Sequence, residues 1–235
     1  MPIRASVCPH DSARALPLWI EFFVVLGAAT GGEFGFQPAA DFPEFYRLWS
    51  ELELIYANPL DALELADKHG FIPLAGNDRY DEVAFVVREG TPASLEAFAG
   101  ARVGYVPGQF ASLLGERLLR KAGHAPGELV AFSSWNEVLA ALRAGRLDHA
   151  FLYKDFYESL DPLSREGTRL AKVSDTRRFS HLFLIAPSRA READALREAF
   201  LRLPEHPMAQ PVLQDLGIGR FFPADLAPLR ALVRS

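Results

Sequence analysis

Apolar residues along this chain alternate between the two-residue rhythm of strands and the three-to-four-residue rhythm of helices. Residues 3–8 read as a strand. After Pro9-His10-Asp11-Ser12, Trp19, Phe22, Phe23 and Leu26 recur at helical spacing, and Gly27 ends the pattern; Pro17 belongs in the first turns or starts the main helix. A helix is predicted over 42–48, a buried strand over 52–56, and a helix from Asn58-Pro59 to Lys68 that Gly70 stops. A short strand over 71–74 and a fully buried β-branched strand over 83–87 follow. After Arg88-Glu89-Gly90-Thr91-Pro92 the alternation restarts. Strands are expected over 102–106, 129–132 and 148–153, separated by helices ending at Ala122 and at Gly145, with further strands over 169–173 and 181–185. From Ser188 onward the pattern is helical, broken at Pro204, Pro207, Pro211 and Pro223.

Strands alternating with helices imply an α/β fold with parallel sheets. Two such units are visible, and the helical end of the chain has no sheet of its own, so it is expected to pack back on the first. Lobe one is assigned to 1–87 plus 184–235 and lobe two to 88–183. The chain then crosses twice, near Arg88 and near Ser180, which describes a two-lobed clamshell.

Composition narrows the function classes. A net charge of −5 argues against nucleic acid or an anionic membrane surface as a partner, without excluding a local anion pocket. Cys8 is the one cysteine, so no intramolecular disulfide forms and no cysteine-based metal site is expected; buried and inert is its expected state at a strand end. The apolar stretch over 22–29 is too short to span a bilayer, and no direct membrane insertion is expected. A strand begins where a signal peptide would, so the protein is expected to be periplasmic if a leader has been removed and cytoplasmic otherwise. No Gly-x-Ser-x-Gly, His-Glu-x-x-His, Gly-x-Gly-x-x-Gly or P-loop is present. His149 and His181 can face the cleft but form no recognisable triad or metal spacing.

The run from Ser134-Trp135-Asn136-Glu137 through Gly145-Arg146-Leu147-Asp148 resembles the helix–Gly-x-x-Asp–strand unit of type II periplasmic binding proteins. Residues 52–59 resemble the strand and Asn-Pro turn of the phosphate/phosphite/phosphonate-binding components of ABC transporters. Residues 80–88 resemble their first crossover strand, 99–106 their Leu-x-Gly-x-x-Val-Ala segment and 217–223 their late Gly-x-x-x-Phe segment. The resemblance covers nearly the whole chain. It implies a Venus-flytrap α/β fold with two hinge crossovers, capture of a small polar or anionic solute in the interlobe cleft, an ABC permease as partner, a monomer, no cofactor and no catalysis.

Ligands of open α/β sheets sit beyond the carboxyl ends of strands. In lobe one those ends carry His10, Asp11, Tyr56 and Asn58, with Tyr80 near the crossover. In lobe two they carry Gln109, Phe110, Ala111 and Ser112, then Ser134 and Trp135, then Tyr153 and Asp155. Tyr56 and Tyr153 also fit half-buried core, and Ser112 and Ser134 fit helix starts. The chain departs from the family at three places. A Ser/Thr-rich turn falls on Gln109-Phe110-Ala111-Ser112, a histidine falls on Trp135, and of Tyr153-Lys154-Asp155 only Asp155 is acidic. Small donors have given way to aromatic surface, so a ligand larger than phosphate or methylphosphonate, with an apolar or ring portion, is expected. Two alternatives use the same fold. One is a cytoplasmic enzyme of the menaquinone- or thiamin-pyrimidine-pathway type, with His10, Asp11 or Asp155 as acid or base; the other is the ligand-sensing input domain of a signalling protein.

Overall fold

The computed structural model describes residues 1–234, apart from the side chain of Arg14. The chain divides into two compact units. The first holds 1–80 and 180–231; the second holds 81–179 together with the end of the chain from Leu232.

The first unit begins with β1 (Ile3–Val7), α1 (Pro9–Thr30), β2 (Phe34–Phe36), α2 (Phe42–Leu48), β3 (Leu54–Ala57), α3 (Pro59–His69) and β4 (Ile72–Tyr80). The second contains β5 (Val83–Arg88), β6 (Arg102–Tyr105), α4 (Phe110–Lys121), β7 (Glu128–Ala131), α5 (Trp135–Arg143), β8 (His149–Tyr153), α6 (Lys154–Ser159), α7 (Pro162–Arg165) and β9 (Thr168–Val173). The chain then returns with β10 (Ser180–Ile185), α8 (Ala193–Arg202), α9 (Gln210–Leu216), β11 (Phe221–Pro223) and α10 (Ala227–Arg234).

Among the described residues the first sheet has the order β11-β4-β10-β3-β1-β2 and the second β7-β6-β8-β5-β9. Neither sheet is purely parallel, as the alternation of elements had implied. β10 runs antiparallel to both β3 and β4, and β5 runs antiparallel to β8 and β9. Each of these strands joins its sheet directly after the chain passes between units, with no crossover helix to restore direction. The first passage lies earlier than the sequence placed it, between Tyr80 and Asp81; the second, between Phe179 and Ser180, is near Ser180 as expected, although the first unit resumes at 180 and not at 184. The reason is pairing. β5 is hydrogen-bonded on both sides within the second sheet, and all of β10 within the first. Buried Glu82 anchors the start of β5 by accepting from Ser174 Oγ, from Thr176 Oγ1 at 2.9 Å and from the Arg177 amide at 2.8 Å.

Local signals set the helices. Asp41 caps α2 through the Glu44 amide at 2.8 Å, and Asn58 caps α3. Gly31 and Gly70 end α1 and α3 in the left-handed conformation that their φ of 67° and 71° requires. α1 runs past Gly27 to Thr30 and breaks from helical geometry at Ala15 (φ −143°), two residues before Pro17, which cannot donate into the helix. Two strands escaped the sequence reading. β2 and β11 are three residues each, too short for a periodic signal, and β11 gives the otherwise helical end of the chain a place in the first sheet.

Aromatic packing fills the first core. Phe183 on β10 is fully buried, with ring centroids 4.4 Å from Phe200, 4.6 Å from Tyr56 and 5.5 Å from Phe22. Replacing Phe183 by Ala removes the hub between α1, β3 and α8. The expected loss is about 3–5 kcal/mol of unfolding free energy, measured by denaturant titration; a loss below about 1 kcal/mol would show that the core closes around the gap.

Candidate functional site

In each unit the order of connections fixes where polar side chains can meet. The first unit runs from β1 outward to β2 and back to β3 on the other flank of β1; the second runs from β6 to β7 and back to β8. Such a reversal opens a crevice at the carboxyl ends of the strands.

At that edge of the first unit, Cys8 follows β1 and its amide donates to the Tyr56 carbonyl at 2.8 Å. Asp11, in the first turn of α1, is buried. Its Oδ1 accepts from Arg79 Nη1 at 2.8 Å and its Oδ2 lies 3.3 Å from His181 Nε2. Burial alone would push this carboxyl up, but the charges of His181 and Arg79 prevail and hold it below the usual carboxylate range. The Tyr56 hydroxyl accepts from Asn77 Nδ2 at 2.8 Å, and its ring lies 5.1 Å from the His181 ring. Burial raises both the Tyr56 hydroxyl and the Cys8 thiol, with His181 acting against the rise in each case.

Asn58 is engaged locally. Its Oδ1 accepts from the Leu60 and Asp61 amides at 3.0 and 3.2 Å, and its Nδ2 donates to Asp61 Oδ2 at 2.5 Å. Burial pushes the Asp61 carboxyl up to about 7, against the charge of His181 and hydrogen bonds from Tyr46 and Asn58.

Of the residues chosen from sequence in this unit, Asp11, Tyr56 and Asn58 come to this edge. His10 is half-buried, its ring edge-on to Phe42 at 4.9 Å. Tyr80 stacks on Phe222 at 6.3 Å. Asn77 and Arg79 were missed. They lie on the far half of β4, where Gly76-Asn77-Asp78 reads as a turn in sequence. A groove of about 550 Å³ in the same unit, beside Ile3, Phe34, Leu196 and Arg202, lies at the amino end of β1 and so at the opposite edge.

In the second unit, Gln109 precedes α4 and makes no side-chain cap. Gln109, Phe110, Ala111 and Ser112 are nonetheless all buried. Ser112 Oγ accepts from the Val106 amide at 3.2 Å, closing the β6–α4 turn, and Phe110 packs on Phe179 at 5.1 Å. At α5 the arrangement differs. Ser134 Oγ accepts from the Glu137 amide at 3.2 Å, and Glu137 Oε2 accepts from the Ser133 amide at 3.1 Å, a reciprocal cap. Trp135 opens that helix buried, at 3% exposure, and its Nε1 has no hydrogen-bond partner among the described residues. Tyr153 ends β8, and its hydroxyl donates to Asp155 Oδ2 at 3.4 Å. His149 is at the amino end of β8, 4.8 Å from Phe98, and so at the edge away from these residues.

The raised Asp61 carboxyl gives a signed pH dependence. Its folded pKa of about 7 exceeds the ordinary 3.8, so the folded state holds a proton that the unfolded chain releases. The contribution is full below about 3.8 and is lost as pH rises towards 7. The stability of the wild type relative to Asp61→Asn should therefore fall across that window and level off above it, as read from urea melts at several pH values. A flat difference across the window would refute the buried protonated carboxyl.

Known proteins share this fold. Residues 6–228 match the family described as ABC transporter, phosphonate, periplasmic substrate-binding protein. A search among curated proteins finds no match. Among solved structures, a binding protein component of an ABC phosphonate transporter from Pseudomonas aeruginosa is 17% identical at a TM-score of 0.77, over 99% of this chain and 85% of that one. PhnD1 from Prochlorococcus marinus, solved with methylphosphonate, is 16% identical at 0.74, over 99% and 97%. The periplasmic aliphatic sulphonate binding protein SsuA from Escherichia coli is 14% identical at 0.72, over 99% and 91%. The shared fold is that of type II periplasmic binding proteins, and by the match across nearly its whole length this chain belongs to the phosphonate periplasmic substrate-binding family of ABC transporters.

Proposed function

We propose that the protein reversibly captures a small organic oxyanion, a phosphonate or a related anion carrying an apolar or ring portion, and presents it to an ABC permease from the periplasm without chemical change. The observation that carries this reading is a contrast between helix starts. α3 and α5 have side-chain caps, whereas α1 and α4 begin in buried turns with none. The first N–H groups of a helix have no partner within it, and together with the macrodipole they favour an anion. α6, α8 and α9 are uncapped as well, but the starts at Cys8 and Gln109 directly follow β1 and β6, the strands at which the two sheets reverse.

The unshared indole N–H of Trp135 adds a donor on the second unit. Trp19 and Trp49 share that lack of a partner, so what ties Trp135 to a solute is its place at the start of α5, where an oxyanion would supply an acceptor. The same side chain, with Phe110 and Tyr153 at neighbouring strand ends, offers ring surface where the family pattern has small hydroxyls and an imidazole. That exchange favours a solute with an apolar body over inorganic phosphate. Binding without chemistry is the behaviour of the family. Its permease partnership and periplasmic setting carry over as part of this proposal, and among the described residues no helix is long and apolar enough to cross a membrane.

A thermal-shift series with inorganic phosphate, methylphosphonate and phenylphosphonate tests the solute class. Phenylphosphonate should raise the unfolding midpoint most, and a larger rise with phosphate or methylphosphonate would overturn the ring-bearing preference. Trp135→Phe keeps the ring and removes the N–H. It should weaken phenylphosphonate binding by roughly 10-fold or more, the worth of one charge-assisted hydrogen bond, while leaving the unliganded midpoint unchanged or higher. Unaltered affinity in calorimetry would remove Trp135 from the site.

A further inference from the structure

One cluster beside the start of α1 has side-chain chemistry that the capture of an oxyanion does not account for. Cys8, Asp11 and His181 each offer a donor atom, and the sulfur, carboxylate oxygen and imidazole nitrogen all lie within 4.8 Å of one another. They arrive from three places in the fold: the end of β1, the first turn of α1 and the start of β10. All three are buried, at 0%, 4% and 4% exposure. We infer that they form a mixed thiolate–carboxylate–imidazole site for a divalent cation of the zinc class, a function additional to solute capture and situated at the same edge of the first unit.

Geometry and chemistry both support the assignment. Tetrahedral zinc with bonds of about 2.0–2.3 Å holds its ligand atoms roughly 3.3–3.8 Å apart. Asp11 Oδ2 and His181 Nε2 are already 3.3 Å apart. The remaining contraction falls on the segment carrying Cys8 and Asp11, which the break at Ala15 separates from the main rod of α1. The donor set of sulfur, nitrogen and oxygen suits zinc, or cobalt in its place, and does not suit magnesium or calcium, which take oxygen alone.

The surroundings are those of an oriented first shell. Arg79 holds Oδ1 of Asp11 at 2.8 Å, which leaves Oδ2 as a single, directed donor. The Tyr56 ring packs 5.1 Å from the His181 ring, and the Tyr56 hydroxyl is itself tied to Asn77. Thiolate and carboxylate together bring two negative charges to offset the cation, with Arg79 as the positive neighbour. Three protein donors leave a fourth tetrahedral position for water or another small ligand. A nucleophilic role for the same thiol is disfavoured by its complete burial, which leaves no face for a substrate carbon or phosphorus to approach, whereas an ion requires only the lone pairs.

Cobalt makes the test unambiguous because the chain has one cysteine. A thiolate-to-cobalt charge-transfer band in the near ultraviolet can then arise only at Cys8. Chelator-treated wild-type protein titrated with Co²⁺ should develop that band to one equivalent and lose it when Zn²⁺ is added. Cys8→Ser should show no band and bind Zn²⁺ at least about tenfold more weakly in calorimetry, and Asp11→Asn should keep the band with a similar loss of affinity. Circular dichroism and the thermal midpoint of each variant establish that it is folded. No charge-transfer band in the folded wild-type protein would overturn the site, even if Cys8→Ser fails to fold. Unchanged Zn²⁺ affinity in folded Cys8→Ser would overturn it equally. Both results are read on the metal alone, and phosphonate binding is read separately by the thermal-shift series on metal-free wild-type protein.

Discussion

The first sheet depends on a strand that the first stretch of chain does not contain. β3 and β4 are consecutive in sequence, joined by α3, yet they do not pair with each other. β10 lies between them and hydrogen-bonds to both. Without it, residues 1–80 would leave the inner edges of two buried strands unpaired, a cost no apolar packing offsets in a core. Every residue of β10 is buried, and Phe183 at its centre is the ring against which Tyr56, Phe22 and Phe200 pack. The return of the chain after 81–179 is therefore part of how the first unit is built.

The polar cluster inherits this constraint. His181 stands at the start of β10, beside the carboxyl ends of β3 and β4, because an antiparallel strand begins where its parallel neighbours end. Its neighbours Asp11 and Tyr56 come from α1 and β3, and Arg79, which holds Asp11, comes from β4. One inserted strand thus completes the ladder and supplies the imidazole that holds the Asp11 carboxyl low, opposes the rise of the Cys8 thiol and tempers Asp61. Removing the imidazole would disturb four ionisations at once, that of Tyr56 included, since buried groups this close titrate together.

Local signals were legible in the sequence and pairing was not. Asn58-Pro59 with Gly70, and Ser134 with Gly145, bound their helices by capping chemistry that acts within a few residues. Asp11, Tyr56 and Asn58 could be picked out because strand ends in α/β folds are marked by the turn that follows. Arg79 and Asn77 could not. They sit on a strand whose Gly76-Asn77-Asp78 run mimics a turn, and what keeps it extended is β10, more than 100 residues away, with Ser180 Oγ accepting from the Asn77 amide. The direction of β10 and β5 was hidden for the same reason, since strand sense is set by the partner and not by composition. Cys8 is buried, as its strand-end position predicts, but counting cysteines says nothing about an aspartate three residues on and a histidine at 181. The aromatic substitutions at Phe110, Trp135 and Tyr153 were visible as departures from a family pattern, while the uncapped start of α4 became apparent only beside the capped start of α5.

The interposed strand also has a temporal meaning. A chain made from its amino end exposes β1 to β4 long before β10 exists, whereas every strand of the second sheet lies within 83–173 and can pair as soon as that stretch is free. The unit begun first is then the one completed last, and the facing edges of β3 and β4 wait unpaired through the synthesis of about 100 further residues. During that interval the nascent first unit is a natural client for a chaperone, and any export pathway that carries the chain unfolded would find it conveniently unfinished.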